Sequence, residues 1–115
     1  MKFLPVLVLG SFTACGPPEP LRPGNPAIGN KIYATYCAAC HQADGTGIST
    51  QGVRLAANYT LANGPLARPD EELLRILNNG QVGAIGSMPP WRGILSPQDQ
   101  HDVLAYLRAQ FQSDQ

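Results

Sequence analysis

The run Cys37-Ala38-Ala39-Cys40-His41 constrains this chain more than any other stretch. Two thiols stand three residues apart, and an imidazole follows at once. A chain of 115 residues with 11 prolines and 12 glycines can bury only a modest apolar core. Small loop-rich domains of that kind lean on a disulfide, a metal or a cofactor for stability. A disulfide between Cys37 and Cys40 would close a very small loop and add little. A thioredoxin-like redox pair needs a βαβ setting, and no such pattern is visible. Zinc needs four ligands, yet His101 is the one other histidine and there is no second cysteine pair. The reading that remains is c-type haem attachment. On a helix, residues three and four apart share a face. Cys37 and Cys40 can then meet the two haem vinyl groups while His41 presents its ring to the iron.

A low-spin haem carrier needs a second axial ligand, commonly methionine. Apart from Met1, the chain has one, Met88, in "GSMPPW". The two prolines after it remove N–H donors and stiffen the loop. Gly83 and Gly86 before it permit close backbone approach. A methionine in such a setting reads as a ligand rather than core filler, because no regular structure is expected to carry it. His101 competes for that role, but it lies in a helical pattern between Gln100 and Asp102 and reads as a surface residue.

Residues 1–14 read as an export signal: one lysine, then an apolar run too short to span a bilayer. The stretch "FTAC" is similar to a bacterial lipobox, with a large apolar residue third before Cys15, which marks Cys15 for lipidation. Residues 16–26 hold five prolines in eleven positions, a composition that favours extended polyproline II. At about 3.1 Å per residue the segment would reach roughly 34 Å. Residues 15–26 are thus expected to tether a domain spanning residues 27–115 to a membrane. Eight basic and eight acidic residues cancel, so nothing marks a nucleic-acid binder.

Residues 27–115 resemble a class I monohaem cytochrome c. Four blocks occur in that family's order. In "GNKIYATYCAACH", Gly29 and Tyr33 match the family glycine and aromatic, each four residues apart and leading to Cys37. "DEELLRILNNG" matches the amphipathic helix before the ligand loop, with Leu73, Leu74, Ile76 and Leu77 as its apolar face. "MPPW" carries the axial Met88. "LSPQDQHDVLAYLRAQ" matches the closing helix, with the pair Tyr106 and Leu107. That last block also stands without the family: Ser96 is a good N-cap, Pro97 suits the first turn, Asp99 sits where a capping-box acid helps, and Val103, Leu104, Leu107 and Phe111 recur at helical spacing. Ile28, Ile32, Tyr33 and Tyr36 are the expected apolar positions of the first helix.

The resemblance implies an all-α fold, three to five helices around one covalently bound haem c, with the closing helix crossing the first at Gly29. It implies one-electron transfer by a His41/Met88-ligated haem between redox protein partners on the periplasmic side, not enzymatic turnover of a small molecule. The alternative is a dedicated cytochrome subunit of a periplasmic dehydrogenase or reductase complex. A haem sensor or enzyme with an open sixth site is disfavoured by the intact Met88 block. Two features depart from the family pattern. Gln42 follows the haem histidine where glycine is frequent. The proline whose carbonyl accepts the ring N–H is replaced by "GVRLAA", which leaves the acceptor open: the carbonyl of Val53 is one candidate, since any residue offers one.

Overall fold

The computed structural model describes residues 2–5, 10, 20–83 and 86–112. The expected lipidation site Cys15 and most of the export signal lie outside the described residues. Asn25 starts the helical core: its side chain accepts from the N–H groups of Ala27 at 2.9 Å and Ile28 at 3.4 Å, and Pro26 fills the first turn. This is the arrangement that satisfies orphan amides at a helix start. Helix α1, Pro26–Ile32, runs without a break into a π turn, Tyr33–Cys37, and on into α2, Ala38–His41. The π turn is closed by the Ala38 amide, which donates to the Tyr33 carbonyl.

Two short ladders follow α2 at different points of the chain. Strands β1, Ser49–Thr50, and β2, Val53–Arg54, pair antiparallel across Gln51-Gly52. Both turn residues have positive φ, as a tight hairpin of this hand requires. Strands β3, Gln81–Val82, and β4, Ser87–Met88, pair antiparallel with Gln81 opposite Met88. Between the ladders, α3 spans Asp70–Asn79. Its first turn carries Asp70, Glu71 and Glu72, which favour the positive end of the helix dipole. Helix α4, Pro97–Leu107, opens with a complete capping box: the Asp99 amide donates to Ser96 Oγ, and the Ser96 amide to Asp99 Oδ2. A second π turn, Arg108–Gln112, extends it.

Helices α1 and α4 cross at Gly29. A Cβ at that position would lie 2.0 Å from the carbonyl oxygen of Asp102, so only a residue without a side chain lets the two backbones meet. Tyr33, Leu73, Leu77, Val103, Leu104, Leu107 and Phe111 form the core with Tyr59 and Leu66. The all-α expectation holds, since each ladder is only two residues long. Within α1 the apolar reading is half met: Tyr33 is buried, but Ile28 and Tyr36 are both 40% exposed.

The polar side of α4 is not a solvated face. Asp102 and Gln100 are buried. Asp102 Oδ1 accepts from the Asn25 amide at 2.8 Å and from Gln98 Nε2 at 3.0 Å. Gln98 also brackets Arg22, accepting from its amide at 2.7 Å and donating to its carbonyl at 3.1 Å. The stretch from Arg22 to Asn25 is therefore strapped onto α4, on the side opposite the pocket-facing Leu104 and Leu107. Gln100 Nε2 donates to Asn78 Oδ1 and to the Leu95 carbonyl, which ties α4 to α3.

Candidate functional site

One cavity of about 660 Å³ gathers Cys37, Cys40, His41 and Met88 on its walls. The volume is in the range of pockets that enclose a sizeable organic ligand. Each residue arrives on a different support. The π turn ends on Cys37, and α2 carries Cys40 and His41 one turn further on. Met88 comes on β4. Helices α3 and α4 add Leu73, Leu77, Leu104 and Leu107, and the segment after β2 adds Leu55, Ala56 and Ala57. The expected ligand Met88 thus does sit in regular structure, contrary to the loop expectation: Gly83 and Gly86 close the β3–β4 hairpin through an amide-to-carbonyl bond of 2.8 Å. His101, the rival ligand, does not line the cavity.

His41 is buried, and its orientation is fixed from two sides. Nδ1 lies 3.1 Å from the Ala57 carbonyl. A carbonyl only accepts, so Nδ1 carries the hydrogen and Nε2 keeps its lone pair. The Tyr59 hydroxyl stands 3.3 Å from Nε2 and donates to it, with the two rings stacked at 4.6 Å between centroids. The acceptor is Ala57, not Val53. The β1–β2 hairpin loops outward with Val53 exposed, and the chain returns to the ring four residues later. Burial pushes the His41 pKa down, against the smaller upward pull of the Ala57 carbonyl. The ring is thereby held neutral, in the form a metal takes.

Burial, with a smaller contribution from Cys40, pushes the Cys37 thiol up to about 11. A redox-active C-x-x-C pair needs a depressed thiol, so this environment opposes the thiol-exchange reading. Among the described residues no group of three or more His, Cys, Asp or Glu side chains gathers for a metal. The residues present do fit a c-type haem. Two thiols and an imidazole stand in the attachment order, a soft thioether lines the same space, and the walls are mainly apolar. His41 and Met88 would hold the iron, and Cys37 and Cys40 the porphyrin edge.

Several lining residues carry no local sequence signal. Tyr59 and Arg68 are among them, whereas Trp91 closes the "MPPW" block. Trp91 packs tilted against Tyr36, one residue before Cys37, at 5.6 Å between ring centroids, and both line the cavity. Arg68 is at its rim. Tertiary folding alone brings these together.

The chain matches the family described as cytochrome c oxidase, cbb3-type, subunit III, over residues 24–107. It is 30% identical over 100 residues to a cytochrome c of Gossypium barbadense, covering 75% of this chain and 90% of that one. A cytochrome c of Theileria annulata is 28% identical, over 79% and 93% of the two chains. The solved cytochrome c6 of the diatom Phaeodactylum tricornutum superposes with a TM-score of 0.57 at 26% identity, over 80% of this chain and all of that one. A thiosulfate dehydrogenase (TsdBA) of Marichromatium purpuratum shares the fold over 80% of this chain and 19% of its own, with a TM-score of 0.56 at 22% identity. With the haem-attachment run on one apolar cavity and the family match across most of the chain, the protein belongs to the cytochrome c family, electron carriers whose cofactor is covalently bound haem c.

Proposed function

We propose that this protein passes single electrons between redox proteins through one haem held by thioethers at Cys37 and Cys40 and ligated by His41 and Met88. The observation that carries this reading is the convergence of those four side chains on one apolar cavity. When bound, the haem supplies a one-electron change at iron. The chain's own residues set the conditions for it. The Ala57 carbonyl holds the His41 ring in one tautomer, which orients it and raises its basicity. The β3–β4 ladder fixes the backbone of Met88, whose thioether favours the ferrous state and raises the potential. Leu73, Leu77, Leu104 and Leu107 exclude water and disfavour the extra charge of the ferric state.

The place of action is the outer side of a bacterial cytoplasmic membrane. Residues 1–14 direct export, lipid on Cys15 anchors the chain, and residues 15–21 bridge to the strapped segment. No helix among the described residues is long and apolar enough to cross a membrane. Cys15→Ser should release the protein into the soluble fraction; retention in the membrane would remove Cys15 as the anchor. A second reading, a fixed subunit of a larger oxidoreductase, draws on the family description, which names an oxidase subunit. Copurification with one partner complex would favour it.

The deciding experiment is the visible spectrum of the purified protein, oxidised and reduced, with and without carbon monoxide. A low-spin spectrum with a methionine–iron band and no carbon monoxide response is expected. Met88→Ala should open the sixth site and lower the potential. A wild-type protein that is high-spin or binds carbon monoxide readily would overturn Met88 ligation.

A further inference from the structure

We propose that Gly80 is a positioning residue for Met88: it seats the backbone of the ligand segment against the end of α3 and so sets how far the thioether reaches into the cavity. The inference rests on the Met88 ligation proposed above. Gly80 follows α3 with φ 73° and ψ 179°, a conformation open to glycine and nearly closed to residues with a side chain. A Cβ there would lie 2.5 Å from the Met88 carbonyl oxygen, 2.8 Å from the Pro90 nitrogen and 2.9 Å from the Pro89 carbonyl carbon. All three are backbone atoms, so no side-chain tip can swing aside. Gly80 lets two stretches of main chain touch.

The surroundings show why that contact matters. Pro89 and Pro90 carry no N–H, so hydrogen bonds from their own amides cannot locate them. The segment is held at its two ends instead. Met88 pairs with Gln81, and the Trp91 amide donates to the Leu77 carbonyl at 2.9 Å. Between those points the chain rests on Gly80, which is itself fixed: its amide donates to the Ile76 carbonyl at 2.7 Å. Ile76, Leu77, Gln81 and Met88 all line the cavity. Helix α3 therefore carries both a wall of the cavity and the seat of the ligand segment. A methyl group at position 80 would push residues 88–90 off α3 and change the approach of the Met88 sulfur, with both axial side chains left intact.

The test compares haem-loaded wild type with Gly80→Ala and two controls. Gly52 shares a positive φ, 78°, but an added methyl there meets nothing within 4 Å. At Gly29 the added methyl meets Asp102 and Tyr106 rather than the ligand segment. The reading is the concentration of free imidazole that removes half of the methionine–iron band from the ferric protein. Covalent haem and that band are checked first in wild type; covalent haem without the band would overturn Met88 ligation and this inference with it. Where the band is present, Gly80→Ala should lose half of it at about one-tenth of the wild-type imidazole concentration or less, as strain of this size is released when the segment lifts. Gly52→Ala and Gly29→Ala, acting at other sites, should stay within about twofold of wild type. An unchanged imidazole requirement in Gly80→Ala, or an equal fall in either control, overturns the role of Gly80 and leaves Met88 ligation standing. If Gly80→Ala does not accumulate, proton NMR of the reduced wild type decides. Nuclear Overhauser cross-peaks between the Gly80 α-protons and the Pro90 ring protons are expected, and their absence overturns the seat equally.

Discussion

Gln42 carries a backbone conformation that glycine suits better. It ends α2 with φ 63° and ψ 159°, a region nearly closed to residues with a side chain. Its backbone carbonyl accepts from the Tyr33 hydroxyl at 2.5 Å, and its side-chain Oε1 accepts from Thr46 Oγ1 at 2.9 Å. Gln42→Gly should relieve strain of order 1–3 kcal/mol and cost about 0.5–1 kcal/mol in chain entropy. A net gain of about 1 kcal/mol, read as a higher urea midpoint at unchanged slope, is the expected outcome; a lower midpoint would show that the Gln42 side chain contributes more than its backbone costs. The sequence marked this position as unusual, and the structure supplies the reason. Cys37, Cys40, His41 and Met88 were legible because each carries a chemistry that few other residues can supply. Tyr59 and Arg68 were not, since a lone tyrosine and a lone arginine mean nothing until the fold sets one against His41 and the other on the rim. The acceptor of the His41 ring N–H stayed open in the sequence for a related reason: counting residues along the chain cannot see the hairpin that carries Val53 outward and leaves Ala57 at the ring.

Among the elements, the crossing of α1 and α4 has the least tolerance. Gly29→Ala would place a methyl group 2.0 Å from a backbone oxygen, and backbone cannot swing aside as a side-chain tip can. The expected cost is about 3 kcal/mol, at the upper end for overpacking, measured by denaturant unfolding of the haem-loaded protein. A loss below about 1 kcal/mol would mean that the helices slide apart easily and that the contact is not the pivot it looks. The crossing was readable in advance from one glycine and the resemblance that gave it meaning. The π turn Tyr33–Cys37 was not. Apolar spacing along 28–36 reports a helix and is too coarse to register one wide turn, yet that turn decides where the next three functional residues point. The burial of Asp102 and Gln100 escaped for another reason. Polar residues on a helix are read as wet unless a partner is known, and the partners here come from residues 22–25 and from α3.

At the scale of the whole molecule, aromatic packing links the site to the fold and sets an alkaline limit. Tyr33, Tyr59, Tyr106 and Phe111 form a connected group, with Tyr59 stacked on Phe111 at 6.0 Å and Tyr33 tilted against it at 5.8 Å. Burial, with smaller contributions from Cys37 and other neighbours, raises the pKa of both Tyr33 and Tyr59 above the ordinary phenol value. The unfolded chain ionises these groups near pH 10 while the folded one does not. The unfolded state therefore binds fewer protons above that pH, and stability falls as pH rises. Urea midpoints taken from pH 9 to 11 should decline, and Tyr33→Phe should make the decline shallower; a flat wild-type profile would remove the effect. The architecture was the most legible level, because four motif blocks in order leave few ways to arrange three helices around one cavity.

The strap from Arg22 to Asn25 bears on where the polypeptide can be trimmed. A chain begun at residue 27 looks sensible from the prolines alone, but it would discard Asn25, which caps α1 and donates one of the two hydrogen bonds that Asp102 receives. Withdrawing a donor from a buried carboxylate costs about 1–3 kcal/mol, to which the lost cap adds. The shortest version that keeps the helix crossing intact begins at Leu21 or earlier.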